Sequence, residues 1–222
     1  GVTSPVYRVE APGALTLVDG TSIAGAAPVD LTQVDAYYFS LQKALGSDGG
    51  LWVAILSPAA VERARRVEES ADGRWVPQFL SLSAAIDNSR KDQTLNTPAL
   101  ATIIMAERQV RWLLERGGMD AVSDHCAQAS SLIYDWAEAN LAARPFVDNP
   151  TWRSPVTATI EIDEAASASE LAAHLRARGI VDIGAYRGVG ANQLRIGTWP
   201  SVEVDDVEAL LACIDYCLER VL

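Results

Sequence analysis

The stretch from Ala36 to Gly50 constrains the fold of this 222-residue chain more than any other. Ala36-Tyr37-Tyr38-Phe39-Ser40 has the aromatic density of a strand. It runs into Leu41-Gln42-Lys43 and a loop of small residues, and a second apolar run, Leu51 to Leu56, follows. One lysine is thereby set at the mouth of a sheet. Lys43 and Lys91 are the only lysines in the chain, so its ordinary surface cations are arginines. Arginine keeps its proton everywhere in a protein, whereas a partly desolvated lysine can lose its proton and attack a carbonyl. The plain alternative is a solvated loop lysine.

Asp19 adds weight to the chemical reading. Gly13-Ala14-Leu15-Thr16-Leu17-Val18 reads as a short buried strand, and it ends in Asp19-Gly20-Thr21-Ser22. One strand thus ends in a carboxylate and another in a lysine. In a parallel α/β sheet both would emerge at the carboxyl edge, where ligands bind. Such a pair suits pyridoxal 5'-phosphate: the lysine bonds the cofactor, and the carboxylate keeps the ring nitrogen protonated so that the ring can accept electrons. Taken alone, Asp19 reads equally well as a turn or N-cap residue.

Val18-Asp19-Gly20-Thr21-Ser22, followed by Asp35 to Lys43 and by Ser47-Asp48-Gly49-Gly50-Leu51-Trp52, closely resembles phosphoserine aminotransferase of the actinobacterial type. The resemblance runs through essentially the whole chain, although members of the family are considerably longer. It implies an α/β fold: the C-terminal part of a pyridoxal-phosphate-dependent transferase large domain with a mostly parallel sheet, plus a small α+β C-terminal domain. The boundaries it suggests are 1–140, including an interdomain helix, and 141–222. It further implies that Lys43 and Asp19 are catalytic, that Gln42, Asn96 and Thr97 contact the cofactor phosphate, and that Asn96-Thr97 reach the site of the other subunit in a homodimer. Arg195 is expected to hold the substrate α-carboxylate and Arg187 to lie near the substrate phosphate.

The chain opens Gly1-Val2-Thr3-Ser4-Pro5-Val6, without methionine and directly into a strand-turn-strand pattern, so the expectation is a C-terminal portion of a longer protein. A net charge of −11 argues against nucleic acid as a partner, since no basic surplus exists to neutralise phosphates. No apolar run approaches the roughly 20 residues that span a bilayer. Cys126, Cys213 and Cys217 are an odd set without metal-ligand spacing, which fits a reducing, cytoplasmic setting. His125 and His174 share no ligand spacing with them, and packing or surface roles are expected for both.

Along the chain, Ser57-Pro58 opens a helix over Ala59 to about Glu68. Arg74 to Leu80 reads as irregular or a short helix, and Thr97-Pro98 precedes a long amphipathic helix over Ala99 to Arg116, stopped by Gly117-Gly118. Asn96 and Thr97 beside that helix start are either phosphate contacts or helix caps. A second long helix covers about Met119 to Asn140. From Arg144 the texture changes: a half-buried strand over Ser154 to Ile162, a helix over Ser169 to Arg178, short strands at Ile180-Val181-Asp182 and Gln193 to Thr198, and a closing helix from Val204 to Leu222. No internal repeat is visible.

Ala185-Tyr186-Arg187-Gly188-Val189-Gly190-Ala191-Asn192-Gln193-Leu194-Arg195 puts two arginines around a glycine-containing loop, and guanidinium forks match carboxylate and phosphate oxygens in pairs. Surface arginines beside a turn are the plain reading. Many members of the resembling family carry His-Arg here and a shorter loop; this chain has Tyr186-Arg187. Trp199 lies close in sequence to the pair, and the other tryptophans are core or interface candidates.

The activity implied by the resemblance is transamination between glutamate and 3-phosphohydroxypyruvate, giving phosphoserine and 2-oxoglutarate in serine biosynthesis. A second phosphorylated substrate in pyridoxine synthesis is compatible with it. The partners implied are small molecules: phosphoserine, glutamate and 2-oxo acids. Two rivals stand beside this reading: a serine- or alanine-glyoxylate-type aminotransferase, and a non-catalytic dimerisation or binding module.

Overall fold

The computed structural model describes residues 1–70, 75–187 and 192–220. It divides into two compact units, one of residues 6–22 and 29–109, the other of residues 1–5, 23–28 and 110–222. Among the described residues no helix is long and apolar enough to cross a membrane.

The first unit is built on three strands, β1 (Leu17–Asp19), β2 (Ala36–Ser40) and β3 (Trp52–Leu56). β1 and β2 are parallel, with Leu17 opposite Ala36 and Asp19 opposite Tyr38. β3 returns antiparallel, setting Ser40 opposite Trp52 and Ala36 opposite Leu56. A parallel return needs a crossover of about a dozen residues or more, usually helical; residues 41–51 hold no helix, so β3 forms an antiparallel edge beside the parallel pair. Helices α1 (Pro58–Glu69), α2 (Leu82–Ser89) and most of α3 (Leu100–Glu115) complete this unit. α1 starts as its sequence dictates: the Ser57 hydroxyl accepts from the Ala60 amide, and Pro58 occupies a first-turn position that needs no donor. α2 is capped by Ser81, whose hydroxyl accepts from Ala84 N–H and donates to Glu68 of α1 at 2.7 Å.

Asp35 is the polar hinge of this unit. Its residue is only 4% exposed, and its carboxylate accepts from Thr16 N–H (2.9 Å), Arg8 Nη1 (2.8 Å) and Ser57 Oγ (3.0 Å). One side chain therefore ties together the run into β1, the start of β2 and the cap of α1. The Thr16 amide first, and then the Arg8 guanidinium, hold its carboxyl below the usual carboxylate range. A depressed folded-state pKa gives stability that is complete above the unfolded value, about 3.9, and is lost as pH falls through the folded value. Asp35→Asn is therefore expected to lower the thermal midpoint at neutral pH, with the gap from the parent closing below about pH 4. Thermal scans at stepped pH check this, and a gap that stays constant into acid would contradict it.

The second unit carries an antiparallel sheet of β4 (Ala143–Pro145), β5 (Thr157–Ile162) and β6 (Gln193–Gly197), with β5 in the middle. Helices α4 (Gly118–Ala139), α5 (Ala168–Arg176) and α6 (Val204–Arg220) pack with it. On α4 the buried residues Val122, Cys126, Ala129, Ile133 and Ala137 recur every three or four positions, the spacing of one helical face. Ala129, Ile133 and Ala137 share a core with Ile160, Leu171, Leu175, Leu194 and Ile214, all almost wholly buried. Asp215 of α6 accepts from Trp136 Nε1 (2.9 Å) and Asn140 Nδ2 (3.0 Å), latching α6 to the end of α4. α4 packs into the core of this unit, and the division between the compact units falls within α3.

Two further differences from expectation have local causes. Ile180-Val181-Asp182 is not a strand: Gly179 (φ 89°) and Asp182 (φ 63°) are both left-handed and break the extended run, so that the segment contributes only an isolated bridge between Gly184 and Leu194. α3 begins at Leu100, with the Ala99 carbonyl accepting from Ile103 N–H, one residue later than the sequence suggests. Cys126, Cys213 and Cys217 are free thiols, and burial pushes the Cys126 thiol up to about 11. His125 Nε2 lies 2.8 Å from the Val202 carbonyl oxygen, a packing role.

Candidate functional site

The parallel pairing of β1 and β2 puts their carboxyl ends at one sheet edge. Asp19 is the last residue of β1 and is exposed; its carboxylate accepts from Thr21 N–H at 2.8 Å, which fixes the turn leaving the strand. Gly20 N–H donates to the Tyr38 carbonyl at 2.8 Å, carrying the pairing one residue past Asp19. Glycine is required there, because a Cβ at Gly20 would sit 2.4 Å from the Tyr37 ring. The Tyr37 phenol is raised above its ordinary range, by burial first and by the Asp19 carboxylate second.

Lys43 follows the end of β2 by three residues and is half-buried, while the neighbouring Gln42 is exposed. Three of the bonds that hold its loop come from Gly46 and Ser47. Gly46 N–H donates to the Lys43 carbonyl (2.9 Å), Ser47 N–H to the Leu41 carbonyl (3.0 Å), and Ser47 Oγ to the Thr102 carbonyl of α3 (2.6 Å). Gly46 adopts φ 55° beside the Gln109 side chain. Leu41, Ala44 and Leu45 are buried, so the apolar residues on either side of Lys43 anchor the loop. Asn96 and Thr97 are exposed on the segment entering α3 and stand outside the helix. They precede α3, whose Thr102 carbonyl accepts from the Ser47 hydroxyl of the lysine loop.

Arg187 and Arg195 belong to the second unit. Residues 188–191 of the glycine loop lie outside the described residues. Arg195 sits in β6 opposite Thr159, is half-buried, and donates its backbone N–H to the Ile183 carbonyl at 2.9 Å. Its guanidinium lies over the Tyr186 ring, 4.6 Å from the centroid. Burial and then the Arg195 charge hold the Gly1 amine below its ordinary range. Arg187 is exposed. The Trp199 ring folds back over Gly197, where a Cβ would come within 2.4 Å of it.

Sequence reasoning missed Asn192. Its amide donates to the carbonyls of Ile162 (2.8 Å), Asp163 (3.1 Å) and Ala166 (2.9 Å), and its oxygen accepts from Ala168 N–H (2.8 Å) at the start of α5. It pins the entry to β6, three residues before Arg195. A lone asparagine between a glycine loop and an alternating strand was the available signal.

A carboxylate ending β1 and a primary amine three residues past the end of β2 are the kinds of group that suit pyridoxal phosphate. The chain belongs to the class-V aminotransferase family, whose pattern matches residues 1–185. Within that family it is similar to the phosphoserine aminotransferase of Rhodococcus jostii, 46% identical over 99% of this chain and 59% of that protein. It superposes on a phosphoserine aminotransferase from Cytophaga hutchinsonii with a TM-score of 0.87, at 23% identity, over 100% of this chain and 61% of that one. The enzyme of the same name from Bacillus circulans subsp. alkalophilus gives a TM-score of 0.75 at 27% identity, over 89% of this chain and 51% of that one. The chain thus spans about 59% of the length of the curated relatives it matches.

Proposed function

We propose that the protein containing this chain is a pyridoxal-phosphate-dependent transaminase that moves an amino group between glutamate and 3-phosphohydroxypyruvate, making phosphoserine and 2-oxoglutarate for serine biosynthesis. The observation that carries this reading is the 46% identity to a phosphoserine aminotransferase over 99% of the chain. The placement of Asp19 and Lys43 at one sheet edge supports it. We assign it to the cytoplasm as a homodimer, in line with three reduced cysteines. Asn96 and Thr97 of each protomer would serve the cofactor phosphate of the other. A role in pyridoxine synthesis with a second phosphorylated substrate goes with the same site.

Pyridoxal phosphate, when bound, supplies a conjugated ring that accepts the electron pair left when the substrate α-carbon loses its proton. Lys43 is the residue that would bond it, and its amine would serve as the base for the substrate α-proton. The Asp19 carboxylate would favour the protonated form of the ring nitrogen. Gln42, Asn96 and Thr97 would donate to its phosphate oxygens. Arg195 grips the substrate α-carboxylate through paired N–H groups, and Arg187 meets the substrate phosphate.

Amino-donor preference tests the proposal. In the complete dimeric holoenzyme, kcat/KM for phosphoserine is expected to exceed that for serine by roughly two orders of magnitude or more, because a site built to pair an anion is left with unpaired cations by the neutral analogue. Equal values for the two donors would instead favour a glyoxylate-type aminotransferase.

A further inference from the structure

Arginine–aromatic stacks recur in the second unit, and one of them differs from the rest. Arg116 lies over Trp112 and also pairs with Glu203 at 3.6 Å. Arg153 lies over Tyr134 and pairs with Glu138 at 2.6 Å, and Arg220 lies over Tyr216 and pairs with Glu219 at 3.6 Å. Arg195 lies over Tyr186 at 4.6 Å, and among the described residues no carboxylate pairs with its guanidinium. A ring face attracts the cation through its quadrupole and leaves the N–H edge of the guanidinium unspent. A glutamate in the same place would consume that edge.

Backbone geometry shows how the stack is made. Arg195 N–H binds the Ile183 carbonyl, and Gly184 bridges Leu194, so residues 183 and 184 pair with β6 two residues before Tyr186. Asn192 fixes the entry to the same strand through four hydrogen bonds. Tyr186 is thereby delivered to Arg195 by main-chain pairing. It is 54% exposed, so its outer side is not built into the core.

We propose that Tyr186 is a positioning residue for the substrate carboxylate: its ring holds the Arg195 guanidinium in plane and keeps its paired donors open for the anion. This rests on the reading that Arg195 receives the α-carboxylate shared by amino donor and 2-oxo acid. The ring does the work, and the phenol oxygen is not needed.

The test is steady-state kinetics of the complete holoenzyme with glutamate, 2-oxoglutarate and phosphoserine, together with inhibition by glutarate as a non-reacting carboxylate. Tyr186→Leu is expected to raise KM for all three substrates, and Ki for glutarate, by about 3- to 30-fold while kcat changes little. Tyr186→Phe and Tyr186→Trp are expected to restore parental values by supplying a ring. Arg195→Gln is run beside them. If Arg195→Gln raises KM and Tyr186→Leu does not, the positioning role is overturned. A loss in Tyr186→Phe equal to that in Tyr186→Leu overturns it too, because it would assign the work to the hydroxyl. If Arg195→Gln leaves every KM unchanged, the carboxylate assignment of Arg195 fails and the inference fails with it.

Discussion

Lys43→Ala in the complete holoenzyme is expected to lower kcat by roughly 10⁴-fold or more, since a positioned acid-base group alone contributes about 10² to 10⁴. The variant loses both the group that would bond the cofactor and the amine that moves the α-proton. The surrounding structure should survive: the loop is held by backbone bonds at Lys43 O and Leu41 O and by the Ser47 hydroxyl, none of which involves the lysine side chain. Stopped-flow single turnovers with phosphoserine check this, and added small primary amines should recover part of the lost rate. A kcat within tenfold of the parent would remove Lys43 from the chemistry.

The second large effect is expected at Asp19. Asp19→Asn keeps the shape of the side chain and its bond from Thr21 N–H, but removes the charge that would hold the ring nitrogen protonated. Losing one preorganised electrostatic contact of this kind costs about 10² to 10³ in kcat. Cofactor retention through gel filtration should fall as well. A readout independent of turnover is available in Tyr37, whose phenol is raised partly by the Asp19 carboxylate: alkaline ultraviolet titration of the cofactor-free variant should show one tyrosine ionising at lower pH than in the parent. Parental kinetics in Asp19→Asn, with the Tyr37 shift present, would show that the charge acts on the protein without serving catalysis.

The ends of β1 at Asp19 and of β2 at Ser40 were legible because each closes a short apolar run, and a strand end is a local signal. The Ser57-Pro58 start of α1 was legible for the same reason, the cap and the first-turn proline lying side by side. The place of β3 was not, because it depends on which edge of β2 is free once β1 has paired. Asp35 and Asn192 escaped notice because their hydrogen bonds join segments 19 to 30 residues apart, and no local pattern announces such a tie. α2 was hidden by Leu80-Ser81-Leu82-Ser83, an alternation that looks like strand until Ser81 is seen to cap Ala84. Tyr186-Arg187 stood out in the sequence as a departure from His-Arg, yet the stack on Arg195 follows residues 183 and 184 pairing with β6, which only the folded chain displays.

The central claim is that the cofactor is bonded to the amine at the end of β2. Borohydride reduction of the complete holoenzyme followed by peptide mapping tests it directly, because this chain offers only Lys43 and Lys91 as attachment points. The account predicts a pyridoxyl group on the peptide containing Lys43, absent from Lys43→Ala; recovery of the label on Lys91 or on a lysine outside this chain would contradict it.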